Sequence, residues 1–289
     1  MPALRRRSLD EVESPELVAL LAGRRVVVLT GAGISTDSGI PDYRGPDSPP
    51  SNPMTIRQFT SDPTLRRRYW ARTHVGWRHM AATLPNAGHR ALAALERAGV
   101  VTGLITQNVD LLHTKAGSRN VVDLHGTYAR VTCLDCGRAM SRATLAELLE
   151  AANPGFLERA EAVGGIAVAP DADAMIDDTD SFRIVDCPVC GGMLKPDIVY
   201  FGESVPKPRV EQAFAVVDGA EALLVAGSSL TVFSGYRFVR HAAARGMPVA
   251  IVNRGRTRGD DLATVKLDNG CSPMLALLSD ELPALAFSA

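Results

Sequence analysis

Short apolar, β-branched runs recur along the chain, and amphipathic stretches separate them. The runs lie at residues 26–30, 101–106, 121–124, 222–226 and 248–252. Each has the length and composition of a short buried strand. Between them, Asn86 is placed to cap a helix over residues 87–98, and a second helix is predicted over residues 235–245. Strands that alternate with helices predict an α/β fold with a doubly wound, Rossmann-like parallel sheet.

Residues 131–194 break this pattern, because the apolar periodicity weakens there and paired cysteines appear. We therefore expect a small inserted module at 131–194 and a discontinuous large domain formed by residues 1–130 and 195–289. Within the module, residues 169–180 are rich in aspartate and poor in aromatic residues, which predicts a mobile acidic loop. A calcium loop is the alternative interpretation, but the usual glycine and terminal glutamate are missing.

The paired cysteines form two C-x-x-C motifs, Cys133 with Cys136 and Cys187 with Cys190. Four thiolates fit a closed tetrahedral Zn²⁺ site, which is structural because no coordination position remains for water. Residues 137–186 separate the pairs, a gap longer than the ~15–20 residues usual in zinc ribbons. Free or redox-active thiols are the alternative, and Cys271 stands apart without a predicted metal.

Composition excludes several classes of protein. The 289 residues carry a formal net charge of -1, so no overall positive field attracts nucleic acid. The apolar runs fall short of the ~18 residues that a membrane span requires. Acidic residues precede the first apolar stretch, where a signal or transit peptide would carry positive charge. The sequence therefore predicts a cytoplasmic protein that binds neither nucleic acid nor membrane.

A glycine-rich turn follows the first predicted strand, with Gly31, Ala32, Gly33 and Ile34 in succession. Glycine at a strand end allows a pyrophosphate to approach the backbone closely. The dehydrogenase fingerprint requires a third glycine where this chain has Thr36, and an acidic residue about 20 positions further on is also missing. The turn therefore favours a nucleotide site but disfavours hydride transfer.

A long loop, residues 37–53, comes directly after this turn and contains Asp42, Tyr43 and Arg44. A loop longer than about 12 residues in a compact domain is usually functional or disordered. A surface loop with solvated charges is the simpler interpretation. We favour a cofactor lid, because the loop follows a strand end of the phosphate-binding type.

Polar residues also follow the other predicted strands. They are Gln107, Asn108 and Asp110 after the second strand, His125 after the third, Gly227, Ser228 and Ser229 after the fourth, and Asn253 after the fifth. The carboxyl edge of an open α/β sheet is where ligands bind. His125 is the candidate general base, and His113 is the competing candidate. A histidine with a purely structural hydrogen bond is the alternative for either.

Taken together, these segments resemble the sirtuins. The matching motifs are G-A-G-I-S at 31–35, G-I-P-D-Y-R at 39–44, T-Q-N-V-D at 106–110, L-H-G at 124–126, both C-x-x-C pairs, K-P-D-I-V at 195–199, F-G-E at 201–203 and G-S-S-L at 227–230. Their order is that of the family, and they span about residues 26–271. Segments at 69–72, 75–77, 113–117, 234–238 and 260–263 are similar to the class II branch. Tyr43 departs from the phenylalanine that many sirtuins have.

The resemblance implies an NAD-dependent protein-lysine deacylase. NAD would bind extended at the sheet edge, with Asn108 and Asp110 holding nicotinamide and ribose. Gly227, Ser228 and Ser229 would contact the adenosine half, and Asn253 and Cys271 would lie near the adenine. Nicotinamide would leave, the acyl oxygen would attack the ribose carbon to form an alkylamidate, and His125 would act as general base. Lysine and an acylated ADP-ribose would result, and zinc would take no part.

The same resemblance implies how acyl-lysine peptides bind. The peptide would add as a strand between the segment that contains Val199, Phe201, Gly202 and Glu203 and the segment near residues 232–236. Tyr69 and Arg72 share a face of a predicted helix. Sirtuins that remove acidic acyl groups bind the carboxylate with a tyrosine and an arginine at this spacing. We therefore expect a preference for bulky or acidic chains. A packed Tyr69 and a solvated Arg72 are the alternative.

Other functions stay open on the sequence alone. A protein ADP-ribosyltransferase would use the same NAD site. A non-catalytic NAD or ADP-ribose sensor would keep the glycine turn but could dispense with His125, Asn108 and Asp110. A zinc-ribbon protein that binds nucleic acid is disfavoured, because basic and aromatic residues are not interleaved around the cysteines.

Overall fold

The computed structural model describes residues 14–45, 48, 53–162, 173–176 and 178–286. Its helices are α1 (Pro15–Leu21), α2 (Ile56–Ser61), α3 (Pro63–Ala82), α4 (Ala87–Arg97), α5 (Leu112–Ala116), α6 (Arg142–Ala152), α7 (Phe156–Ala162), α8 (Lys207–Asp218), α9 (Phe233–Ala244) and α10 (Cys271–Ala286). Its strands are β1 (Val26–Thr30), β2 (Val101–Thr106), β3 (Val121–Asp123), β4 (Gly126–Cys133), β5 (Ala139–Ser141), β6 (Leu194–Ile198), β7 (Ala222–Ala226), β8 (Val249–Val252) and β9 (Val265–Leu267).

The large sheet has six strands in the order β3-β2-β1-β7-β8-β9, and every pair within it is parallel. All five predicted strands are present in it, and the predicted α/β, doubly wound class is confirmed. The sixth strand, β9, was not predicted, since its three residues are only half-buried and carry no continuous apolar run. Strand order reverses between β1 and β7, so their carboxyl ends form the switch point where ligands bind in such sheets.

Both faces of this sheet are covered. Along β1, Val26 and Val28 pack against α1, α4 and α10, whereas Val27 and Leu29 pack against α8 and α9 on the other face. The strand is buried at every position, which is the reason for its unbroken run of apolar residues. Burial on both sides fixes the register of β1 and therefore the position of the turn that follows it.

Helix α4 begins with a capping box. The Asn86 side chain accepts a hydrogen bond from the His89 backbone, and the His89 ring reaches back to the Asn86 backbone. The Asn86 side-chain amide also donates to the Ile34 carbonyl at 2.7 Å. The cap therefore connects the start of α4 to the turn after β1.

A small module contains the antiparallel strands β5, β4 and β6. Its core also takes Phe59, Trp70 and Val75 from α2 and α3, which lie outside the range 131–194 expected for the module. In the acidic stretch, Asp173 pairs with Arg72, whereas Asp171 and Asp177 lie outside the described residues. Among the helices that the structure describes, none has the length and apolar character needed to cross a membrane.

Two glycines with a left-handed backbone conformation provide a test of the close backbone packing at the switch point. Gly227 and Gly246 have φ of 66° and 70°, but a Cβ on Gly227 would lie 2.3 Å from the Ile34 nitrogen, whereas Gly246 faces open space. Backbone strain alone predicts that Gly246→Ala lowers the free energy of unfolding by about 1 kcal/mol. Gly227→Ala adds a backbone clash and is expected to cost about 3 kcal/mol or more.

Urea unfolding of the two variants beside the parent protein measures this difference. Equal destabilisation by both substitutions would show that Gly227 lies farther from the Ile34 backbone than the structure indicates.

Candidate active site

A cavity of about 330 Å³ opens at the carboxyl ends of β1, β2, β7 and β8. The predicted site residues that line it are Gly31, Ala32, Gly33, Asp42, Tyr43, Arg44, Gln107, Asn108, Asp110, His125, Val199, Phe201, Gly227, Ser228, Ser229 and Asn253. The topology thus brings polar strand ends from distant parts of the chain into one cleft. Ile34, Cys271, Gly202, Glu203, Tyr69 and Arg72 are not among the residues that line it.

Two glycine turns meet at the centre of the cleft. The Gly33 N–H donates to the Gly227 carbonyl at 2.9 Å, and the Gly31 N–H donates to the Ala226 carbonyl at 3.2 Å. A Cβ on Gly31 would lie 2.8 Å from the Gly227 oxygen, so only glycine fits there. After Gly31 the chain makes two short 3₁₀ turns, Ala32–Ile34 and Thr36–Ser38, in place of an α-helix.

Asn108 and Asp110 are held against the first glycine turn. The Asn108 side-chain amide donates to the Gly31 carbonyl and to the Ser35 hydroxyl, each at 3.1 Å. The buried Asp110 carboxylate accepts from the Ser35 hydroxyl at 2.7 Å and from the Leu112 N–H at 2.9 Å. Burial raises the pKa of Asp110, and these hydrogen bonds oppose that shift. Ser35 therefore joins both side chains to the turn, a role that the sequence analysis missed.

The backbone between Asp110 and α5 is strained. Leu111 has φ of 62°, in the left-handed region that a branched side chain rarely adopts. Such a residue costs on the order of 1–3 kcal/mol and persists where its surroundings require it. Here the bend lets the Asp110 side chain cap α5 at Leu112 while it also reaches Ser35.

His125 lies at the cavity wall with both ring nitrogens engaged. Nδ1 is 2.9 Å from the Gln107 carbonyl and Nε2 is 2.7 Å from the Ser234 hydroxyl. Because a carbonyl only accepts, Nδ1 carries the proton and Nε2 accepts from Ser234. Burial lowers the pKa of His125 to about 4, and the nearby charges of Arg209 and Arg237 add to the effect. At neutral pH the ring is an uncharged base with its lone pair on Nε2.

Ser234 was not predicted as a site residue, because a hydroxyl in the first turn of a helix carries no pattern of its own. His113, the competing candidate for the base, lies outside the cavity lining. It is buried, it contacts the Thr30 hydroxyl at 2.9 Å through Nε2, and its ring centroid is 4.7 Å from that of His89. This geometry supports the structural interpretation for His113.

The segment after β6 forms another wall of the cleft. The Val199 N–H donates to the His125 carbonyl at 2.8 Å, and the Phe201 carbonyl accepts from Ile56 at 3.0 Å. Glu203 turns inward, where its carboxylate accepts from the Tyr200 N–H at 2.9 Å and pairs with Lys195 at 3.2 Å. Val199 and Phe201 therefore face the cavity, whereas Glu203 holds the turn between them and α8.

The predicted Tyr69 and Arg72 pair lies outside the cavity lining. The Tyr69 hydroxyl contacts the Tyr128 hydroxyl at 3.2 Å. The Arg72 Nε lies 2.6 Å from the Ala174 carbonyl and 2.7 Å from the Asp173 carboxylate. Both side chains are buried, so the alternative of a solvated Arg72 does not describe the structure.

A second cavity of about 280 Å³ adjoins the first, and Gly33, Asn253 and Cys271 line it. Burial raises the pKa of Cys271 to about 12, so its thiol is protonated at neutral pH. Ile34 reaches neither cavity with its side chain, which is completely buried beneath the turn. The two cavities together follow the sheet edge from His125 to Cys271.

The four paired cysteines converge on one point. Their sulfur atoms all lie within 4.8 Å of one another, and the Cys133–Cys190 and Cys136–Cys187 pairs are separated by 3.5 and 3.9 Å. Zn–S bonds of about 2.3 Å in a tetrahedron place sulfurs about 3.8 Å apart. The cluster therefore fits one Zn²⁺ with four thiolates, and none of its cysteines lines either cavity.

Comparison with known proteins identifies sequence relatives of this chain. The Sir2 family model matches residues 31–234. NAD-dependent protein deacetylase 1 of Mycobacterium avium (strain 104) is 77% identical over 278 residues, covering 96% of this chain and 99% of its own. NAD-dependent protein deacetylase 1 of Streptomyces coelicolor (strain ATCC BAA-471 / A3(2) / M145) is 54% identical over 271 residues. The match covers 93% of this chain and 89% of that protein.

Solved structures with a similar fold are also Sir2 proteins. A Sir2 structure with a p53 peptide and NAD+ is similar with a TM-score of 0.73 at 30% identity, covering 93% of this chain and 98% of its own. A second structure, from work on the mechanism and regulation of Sir2 enzymes, has a TM-score of 0.72 at 30% identity. The match covers 93% of this chain and 97% of that chain. The sequence match and the shared fold together show that this chain belongs to the Sir2 family, the sirtuins.

Proposed function

We propose that this protein is an NAD-dependent protein-lysine deacylase that transfers the acyl group to ADP-ribose and releases nicotinamide. The observation that carries the proposal is the convergence of His125, Asn108 and the Gly31 turn on one cavity. Relatives at 77% and 54% identity are named NAD-dependent protein deacetylases. A sensor without catalysis would not require a neutral imidazole beside the nucleotide turn.

The residues of the cleft suit an extended dinucleotide. The glycine turns at Gly31 and Gly227 line the cavity at the switch point, where a pyrophosphate would bind. Ser228, Ser229 and Asn253 supply hydroxyl and amide groups for the adenosine half. Asn108 and Asp110 would hold nicotinamide and its ribose at the other end, next to His125. The second cavity, beside Cys271, is the proposed location of the adenine.

When bound, NAD supplies the ribose carbon that accepts the acyl oxygen. His125 would supply the base for the step that follows, because its Nε2 is unprotonated and already accepts a hydrogen bond from a hydroxyl, that of Ser234, at 2.7 Å. A ribose hydroxyl that replaced the Ser234 hydroxyl at this nitrogen would pass its proton to Nε2. The Gln107 carbonyl keeps the proton on Nδ1 and so fixes the useful tautomer.

The proposed peptide site is the groove between Val199–Phe201 and the start of α9. Phe201 already forms a parallel bridge with Thr55, in which the Phe201 carbonyl accepts a hydrogen bond from the Ile56 N–H, so this segment has an extended backbone. An acyl-lysine peptide would add as a strand and direct its side chain towards His125. One of the similar Sir2 structures contains a p53 peptide, which is consistent with a peptide substrate.

The proposed acyl preference is for bulky or acidic chains. Ile40, Met54, Val109, Ile198 and Tyr200 give the cavity an apolar wall. Such a wall can bury methylene groups beyond the acyl carbonyl, at about 0.8 kcal/mol for each one buried. Since Arg72 is paired with Asp173, direct recognition of a carboxylate by Arg72 would first require that ion pair to open.

Nicotinamide release provides the first test. Wild-type protein is expected to release nicotinamide from NAD only when an acyl-lysine peptide is present. His125→Ala should lower this rate by about 10²–10⁴, the usual contribution of a general base. His79→Ala is the matched control, because that histidine is exposed on α3, away from the cavity.

The amount of nicotinamide released is measured by chromatography across a panel of acyl groups. No peptide-dependent release from wild type with any acyl group would eliminate the deacylase proposal and favour a sensor.

The pH profile tests the state of His125. Since its pKa is lowered to about 4, the base stays deprotonated and kcat/KM should be flat from about pH 8 to about pH 6. The unfolded chain titrates near 6.5, so stability conferred by the neutral ring is complete above that pH. It is lost as the pH falls towards about 4. Circular dichroism at each pH separates unfolding from inactivation, and an acid limb near pH 6.5 in folded enzyme would contradict the assignment.

We propose that the cysteine cluster holds one structural Zn²⁺ that stabilises the small module. Elemental analysis should find about one zinc per chain in wild type. Cys136→Ser should remove the metal and lower the Tm of the protein. Cys271→Ser should keep the zinc, because that thiol lies apart from the cluster. Wild-type protein without zinc, with a Tm that added zinc does not raise, would reject the metal site.

A further inference from the structure

A partly exposed patch of aromatic and arginine side chains lies at the start of α9, beside the groove proposed for the peptide. This α9 patch consists of Phe233, Tyr236, Arg237 and Arg258. The Phe233 and Tyr236 ring centroids are 6.5 Å apart, and Phe233 is 47% exposed. The Arg237 guanidinium carbon lies 5.3 Å from the Phe233 centroid. That of Arg258 lies 4.5 Å from the Tyr236 centroid, so two neighbouring rings each hold a cation.

Helical geometry places the patch on the side of α9 that faces the active site. Ser234 and Arg237 are three residues apart and so lie on one side of the helix. The Ser234 hydroxyl is 2.7 Å from His125 Nε2. Burial lowers the pKa of His125 to about 4, and the charge of Arg237 contributes to that shift. Arg258 Nη1 donates at 3.4 Å to the carbonyl of Thr231, which lines the cavity. Both arginines are therefore close to the cavity.

Neither arginine is neutralised by the described part of the chain. Neither forms an ion pair there, and the Arg237 Nε is buried without a hydrogen-bond acceptor. The acidic groups on the β6 side of the groove are already engaged, since Glu203 pairs with Lys195 at 3.2 Å. Asp197 pairs with Arg209 at 3.4 Å. Because the formal net charge of the chain is -1, this positive rim is a local feature.

The α9 patch lies outside the cavity that would take the acyl chain. None of its four residues lines either cavity, whereas Val232, the residue just before α9, lines the first. Successive side chains of a strand point to opposite faces. A peptide strand that directs its acyl-lysine into the cavity would therefore keep the adjacent side chains outside it. Those flanking side chains are the ones that the patch can reach.

We infer that the α9 patch binds acidic side chains that flank the acyl-lysine, so that peptides with glutamate or aspartate there are preferred. The inference rests on the proposed deacylase function and assigns the class of peptide that it acts on. A carboxylate at this patch would meet the guanidinium groups of Arg237 and Arg258, which have no other anion among the described residues. The N–H donors of arginine match a carboxylate in both charge and geometry.

Two labelled acetyl-lysine peptides of one sequence test the inference. One has glutamate at the two positions on each side of the modified lysine, and the other has glutamine, which has a similar shape without the charge. Fluorescence anisotropy measures Kd for each peptide, and deacetylation measures kcat/KM. At low salt we expect wild type to favour the glutamate peptide at least about fivefold in both quantities. The preference should fall below about twofold at about 0.5 M salt, because exposed charges are screened.

Substitution of the arginines locates this preference. Arg237→Gln should reduce the low-salt ratio at least about twofold. Arg258→Gln should do the same, and it decides the matter if Arg237→Gln does not fold. Arg97→Gln is the matched control and should keep the ratio. It removes the same charge from an exposed position on α4, which packs on the opposite face of the large sheet from α9.

Three results would overturn the inference. The first is a wild-type ratio near one at low salt. The second is a ratio that survives both Arg237→Gln and Arg258→Gln, and the third is a ratio that falls equally in Arg97→Gln. Deacetylation of the glutamine peptide shows separately whether the deacylase function stands, and the ratio of the two Kd values tests the patch even without turnover.

Discussion

The contact between two glycine turns determines the geometry of the whole site. Gly33 donates to the Gly227 carbonyl at 2.9 Å, and a Cβ on Gly31, Gly33 or Gly227 would come within 3.0 Å of the opposite backbone. The contact joins the ends of β1 and β7 at the point where the strand order reverses. Asn108 is hydrogen-bonded to the Gly31 carbonyl, so the polar end of β2 takes its position from the same turn. A ligand in the cleft meets backbone that is already close-packed.

Burial then sets the chemistry of the groups placed there. Desolvation acts on His125 and Asp110 in the same sense, since it disfavours the charged form of each. For His125 the result is a neutral base at physiological pH. For Asp110 the hydrogen bonds from Ser35 and Leu112 oppose the shift and stabilise the carboxylate. The hydrogen-bond partners, rather than the side chains alone, therefore give the two groups different roles.

The sequence predicted the parts of the fold that depend on local pattern. Buried parallel strands require continuous apolar runs, and β1, β2 and β7 began and ended as expected. The core shared by α2, α3 and the zinc module was not predicted, because no periodicity connects residues 56–82 with 131–200. The polar strand ends were found because polar residues directly after buried strands indicate a ligand site. The four cysteines were found because two C-x-x-C pairs indicate a metal site. Ser35 and Ser234 were missed because a hydroxyl acquires its role only from what the fold places beside it.

Tyr69 and Arg72 illustrate what spacing can and cannot establish. The i, i+3 rule placed them on one side of α3, and both are buried, with Tyr69 in the core of the small module. Spacing could not show that a carboxylate from residue 173 would pair with Arg72. Nor could it show that Arg142, at the start of α6, would lie between the rings of Trp70 and Trp77.

Two buried arginines thus differ in their electrostatic surroundings, since Arg72 has an ion pair and Arg142 has none among the described residues. A charge recognises a ligand only if the protein has not already neutralised it, because a paired arginine must first give up its partner. Arg72 is paired with Asp173, whereas two nitrogens of Arg142 are buried without a hydrogen-bond acceptor in the described part of the chain. The pattern along α3 alone therefore does not establish whether an arginine is available to a ligand, because the fold decides which carboxylate lies beside it.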